Sequence, residues 1–129
     1  MQAIEEMTDT ELDEAVALEV MEWQDGGDPF WEPHRVLHDA WQVIQALRAR
    51  DIYVYLDNEA GSDKWEITLY TDRKGEWNTE GCWNKQLADL ERQPSATLAI
   101  CRGALMAVRT ERHGFLRALI VLAEELGIK

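Results

Sequence analysis

The sequence predicts an α+β fold: helices packed on a small antiparallel sheet of about three strands. Two observations carry that expectation. The apolar period changes from near 3.6 residues to 2 at Ile52 and stays there through Tyr70, the mark of paired half-buried strands. Far downstream, Ser95–Arg109 (SATLAICRGALMAVR) is apolar almost all round. A helix of that kind has to be covered on more than one side, so it is expected at the centre of the fold. Its small residues Ala99, Gly103, Ala104 and Ala107 would let a neighbouring backbone come close.

Taken in order, the first element is a helix with complete start signals. Thr8 followed by Glu11 forms a capping box, and Met7 with Leu12 fits a hydrophobic staple. Leu12, Ala15, Val16, Val20 and Trp23 give an apolar stripe, and the helix is expected to end near Trp23, before Gly26-Gly27. Residues 24–34 (QDGGDPFWEPH) read as a loop whose Phe30 and Trp31 either cover the core or line a site. A second helix is expected from about Pro33, with Leu37, Ala40, Trp41, Ile44 and Leu47 on its inner face.

Ile52–Leu56 and Trp65–Tyr70 read as antiparallel partners, with Trp65, Ile67 and Leu69 on one face and Glu66, Thr68 and Tyr70 on the other. A weaker third strand is expected over Glu76–Cys82, and Asn84–Arg92 as a loop or a helical turn. After the central helix, the residues Thr110–Gly114 suggest a break, and a last helix runs to Leu126 before Gly127. The division is thus one α+β domain over residues 1–109 and a helical extension over 110–129. The apolar face of Phe115–Leu126 suits that extension to homodimer formation.

At 129 residues the chain can bury a core without disulfides or metals. Cys82 and Cys101 form no CxxC or CxxH pattern and read as reduced residues, Cys101 as a core filler. No stretch reaches the roughly 18 apolar residues of a membrane span. A cytoplasmic protein without cofactor or membrane partner is expected. The net charge of −12 is concentrated: residues 1–34 hold eleven acids and no Lys or Arg, while the remainder is nearly neutral. That distribution argues against duplex nucleic acid as a partner.

Three segments resemble a known family in order and spacing: MTDTELDEAVALEVMEW, HDAWQVIQALRAR and ATLAICRGALMAV. Together they span about residues 7–108 and are similar to the phage ABA-sandwich domain family, small proteins of tailed phages and prophages. The resemblance implies helical layers enclosing a sheet, an α/β/α sandwich-like arrangement, and carries no general activity with it. The chain departs from the family pattern at PFWEPHRVLHDAW, where a Pro-Ser-Thr-Asp type helix start is expected, and in the tail Thr110–Lys129.

Chemistry-bearing patterns are sparse. His34 and His38, four apart, could share a helix face, but the HExxH glutamate is missing, and the remaining candidate ligands, Cys82 and His113, are unplaced. The expectation is a surface pair and no metal. No nucleophile elbow, Walker A or GxGxxG pattern occurs, so no catalytic residue is assigned. Two binding surfaces compete. An acidic first helix with Glu11, Glu14 and Glu22 would engage a basic host or phage protein, in a host-interaction or anti-defence role. Alternatively Trp31, Arg73, Trp77, Trp83 and Lys85 would form an aromatic-basic pocket that sequesters a nucleotide signal.

Overall fold

A computed structural model describes residues 2–25, 28–72 and 84–127. A single turn of 3-10 helix (Ile4–Glu6) leads into α1 (Asp9–Glu19), followed by α2 (Leu37–Ala49), β1 (Ile52–Asn58), β2 (Trp65–Asp72), β3 (Asn84–Gln93) and α3 (Ala96–Glu125). The three strands form an antiparallel sheet in the order β1-β2-β3. The fold is α+β, as the periods required.

The sheet has one face against the helices. Ile52, Val54 and Leu56 stand opposite Thr71, Leu69 and Ile67, and these contribute to the core together with Leu12, Val16, Val20, Ala40, Val43 and Leu47. On the other face Tyr53 stacks on Tyr70 with ring centroids 5.8 Å apart, and Tyr55 and Asp57 are exposed. A second helical layer over that face, which the sandwich resemblance implies, is not found among the described residues.

α3 occupies the centre of the fold, as its sequence demanded. It packs on β2 and β3 as well as on α1 and α2, and Ala99 through Leu105, Arg102 apart, are buried, with Ala107 and Val108. The Ser95 hydroxyl caps it by accepting from the Leu98 N–H at 3.1 Å. At Gly103 the helix comes so close to β2 that an added Cβ would stand 2.6 Å from Leu69 Cδ1. Burial pushes the Cys101 thiol pKa up, so this cysteine is an inert filler.

The capping box at Thr8 is complete: Glu11 N–H donates to the threonine hydroxyl and Thr8 N–H to the Glu11 carboxylate. Several expectations need correction. α1 ends at Glu19, because Arg50, reaching over from the end of α2, takes the carbonyls of Glu19 and Val20, and Glu22 then adopts a left-handed φ of 60°. α2 begins at Leu37, since residues 32–36 are spent in a turn that hydrogen-bonds elsewhere. Its inner face is Ala40, Val43 and Leu47; Leu37 and Trp41, expected inside, are largely exposed. The third strand is Asn84–Gln93 rather than a loop or helical turn; the span 76–82 expected to form it lies outside the described residues. Finally, α3 does not break at Thr110–Gly114 but runs through as one helix of 30 residues, about 45 Å long.

Candidate functional site: an acidic groove beside His34

Residues 28–34 lie along α1 and, with Gln24 and Asp25, line a groove of about 920 Å³ against it. Its walls carry the carboxylates of Asp9, Asp13, Glu14, Asp25, Asp28 and Glu32, with Trp31 and His34 and, among the described residues, no Lys or Arg. Asp9 and Asp13 share one face of α1 because they are four residues apart. The loop is fixed rather than draped. Asp28 accepts from the Phe30 N–H at 2.8 Å, Asp39 at the start of α2 accepts from the Glu32 N–H at 2.9 Å, and Arg35 pairs with Glu32.

At the inner end of the groove Asp13 is buried against His34. The imidazole Nδ1 lies 2.6 Å from Asp13 Oδ2, and the other ring nitrogen, Nε2, is 3.8 Å from Asp9. Burial raises the Asp13 pKa, while the hydrogen bond and charge of His34 pull it back down. The Thr97 hydroxyl, in the first turn of α3, donates to the His34 carbonyl at 2.7 Å. His34 therefore joins the loop to α1 and α3. His38 sits on α2 and is exposed, so the two histidines do not form the surface pair expected of them. Among the described residues no group of three or more His, Cys, Asp or Glu side chains could hold a metal ion.

Trp31 lines the groove, half-buried, with its indole N–H donating to Gln42 at 2.8 Å and its ring 4.6 Å from that of Trp23. Of the acids singled out in the sequence, Glu14 lines this groove. Glu11 is engaged in the capping box, which lowers its pKa, and Glu22 pairs with Arg50 at 2.9 Å. Arg73, Trp77 and Trp83 lie outside the described residues. Lys85 is placed by the backbone opposite Thr71 on β2. Thr71 borders a second groove, of about 480 Å³, at the root of the last part of α3 with Arg50, Arg112 and Phe115. Trp31 and the β2–β3 end of the sheet thus border different grooves.

Sequence reading missed Asp9, Asp13, Asp28 and Glu32 as a group, because the fold-back of the loop that assembles them leaves no mark beyond the excess of acids in residues 1–34. It also missed a second set of acids. Partial burial, then Asp57, Glu59, Glu91 and Asp89, raise the pKa of Glu66, which projects from the sheet face away from the helices.

No protein-family model matches this chain, and no curated protein matches it. A solved structure does. The fold resembles that of a phage protein from Bacillus cereus ATCC 14579, solved as a crystal structure at 2.0 Å. The TM-score is 0.54 at 19% identity, over 83% of this chain and 97% of that one. At that identity the likeness establishes a shared fold and leaves membership of the ABA-sandwich family unsupported by any model match. Among the described residues no helix is long and apolar enough to cross a membrane.

Proposed function

We propose that this is a non-enzymatic accessory protein of a phage or prophage, of ABA-sandwich type, that acts in the host cytoplasm by binding a basic partner protein. The acidic groove between α1 and the 24–34 loop is the receiving surface. The observation that carries the reading is the groove's lining: six carboxylates, one tryptophan edge and, among the described residues, no Lys or Arg. Such a concavity concentrates negative potential and suits a lysine or arginine side chain, whose stem can lie on Trp31. The shared fold with a phage protein supports the origin. The host-interaction or anti-defence role is part of this proposal, and the phage-like fold is what supports it.

The test uses an arginine-rich peptide as probe, with tryptophan fluorescence as the readout, since Trp31 and Trp23 are packed together at the groove. Binding should weaken steeply with added salt and fall by about tenfold or more when Asp9, Glu14 and Asp28 are replaced by Asn, Gln and Asn. Retention of full affinity by that triple variant would overturn the reading. A nucleotide-sequestering role has one observation in its favour, the groove bordered by Arg50, Arg112 and the strand pair holding Lys85. A strong rise in thermal midpoint with one member of a cyclic-nucleotide panel, and none with the peptide, would favour it instead.

A further inference from the structure

The imidazole of His34 stands in the wall of the acidic groove between two carboxylates of α1, its side chain 15% exposed. Nδ1 is 2.6 Å from Asp13 Oδ2, and Nε2 is 3.8 Å from Asp9 Oδ2. When His34 and Asp13 hold one proton between them, it belongs on Nδ1, because an ionised carboxylate only accepts. Nε2 then presents a lone pair to Asp9, acceptor against acceptor. A second proton goes to Nε2 and makes it a donor beside Asp9, and the pair passes from one negative charge to none. Burial of Asp13, which raises its pKa, favours the neutral pair.

Building on the groove as the receiving surface, we propose that this second proton and a basic ligand compete for Asp9, so that the protein binds at neutral pH and releases on acidification. Asp9 is 63% exposed and thus open to a cationic side chain. The doubly protonated pair puts a donor and a compensating positive charge at the place the ligand would fill. Histidine is the side chain whose second proton comes on between about pH 5 and 8. The competition is reciprocal: a bound cation makes the ring harder to protonate by the same factor as the proton weakens binding. One proton displaced per ligand changes affinity by at most about tenfold per pH unit.

The groups packed around the pair do not take over this role. Glu32, whose charge also reaches His34, is paired with Arg35, and that hydrogen bond lowers its pKa. Asp39 of α2 is occupied by the Glu32 N–H. From α3, the Thr97 hydroxyl donates to the His34 carbonyl and does not titrate. Cys101, which feels the charge of Asp13, keeps its proton because burial pushes its thiol up. His38 and His113 are exposed and lie off the groove.

The probe is a hexaarginine peptide acetylated at its N-terminus, whose guanidinium groups stay charged throughout. Titrated into the full wild-type chain, it should bind about three- to tenfold more weakly near pH 5.5 than near pH 7.5. The histidine ring resonances, followed by NMR in the same chain, assign the proton. With peptide present, His34 should titrate at more acid pH than without it, while His38 and His113 should titrate unchanged. Equal affinity at the two pH values, or a His34 titration that the peptide does not move, overturns the proposal and leaves the groove as a receiving surface. Failure to bind near pH 7.5 overturns the groove's role, and the proton competition with it.

Discussion

The carboxylate of Asp13 holds His34 twice, taking its backbone N–H at 3.1 Å on Oδ1 while Oδ2 stands 2.6 Å from the ring nitrogen Nδ1. Both side chains are mostly shielded from solvent, so each is the other's main source of polar compensation. His34→Ala should cost about 1–3 kcal/mol, the penalty for a buried acceptor left short of a partner, measured by denaturant unfolding. The variant should also respond to pH in a particular sense. The Asp13 pKa is already raised by burial, and removing His34 removes what pulls it down. A folded-state pKa above the unfolded one means that stability falls as pH rises through that interval. The penalty of His34→Ala should therefore be smaller near pH 5 than at pH 7; a penalty independent of pH would deny Asp13 this role.

Glu19 works in the opposite sense. Arg109 donates to it from Nε at 3.0 Å and from Nη2 at 2.9 Å, a two-point contact between α3 and the end of α1. The hydrogen bond from Arg109 lowers the Glu19 pKa. With the folded pKa depressed, the contribution is present above the ordinary glutamate value and is lost as pH falls through the folded one. Glu19→Gln should lower the thermal midpoint at pH 7, and the difference from wild type should close under acid conditions, below about pH 4. A gap of equal size at both pH values would mean the carboxylate charge is not what matters.

Gly103→Ala probes the close approach of α3 to β2. The new methyl would meet Leu69 Cδ1 at 2.6 Å and Ile67 Cγ2 at 3.2 Å, both on side chains that are completely buried. Alanine favours the helix by up to about 1 kcal/mol, but overpacking a filled core costs about 1–3 kcal/mol. Net destabilisation is expected by denaturant unfolding, and it should be partly relieved by Leu69→Val, which shortens the side chain that is struck.

These elements show what was legible and what was not. The capping box at Thr8, the Ser95 cap and the alternation through Trp65–Thr71 are local signals, and each was readable because neighbours in sequence satisfy one another. β3 was not readable. Tyr70 pairs with Gln86 and Leu69 with Ala88, so Leu87 is an extra residue in a bulge, and the adjacent Leu87 and Ala88 are both buried. A bulge of that kind erases the period of two on which recognition of a strand depends. α2 failed for another reason: apolar residues stand at 37, 40, 41, 43, 44, 46, 47 and 49, wide enough to allow two faces, and only the packing against β1 and α3 decides between them. The acidic groove needed Asp13 and His34, 21 residues apart, to be brought together by a loop whose course has no periodic signature.

Gly114 decides between a broken and a continuous α3. Its sequence context, His-Gly after a run of polar residues, suggests a stop, and a stop at glycine commonly uses a left-handed φ. In the structure Gly114 is inside the helix, its φ is not positive, and a Cβ there would meet nothing within 4 Å. Glycine at such a position costs a helix about 1 kcal/mol relative to alanine. Gly114→Ala should therefore strengthen the segment, slowing amide exchange on both sides of residue 114 and raising helical ellipticity on heating. Were the chain to turn at Gly114 instead, the same substitution would force a side chain into a left-handed conformation and speed exchange there. The sign of the change in exchange rate at residues 110–118 thus separates the two geometries.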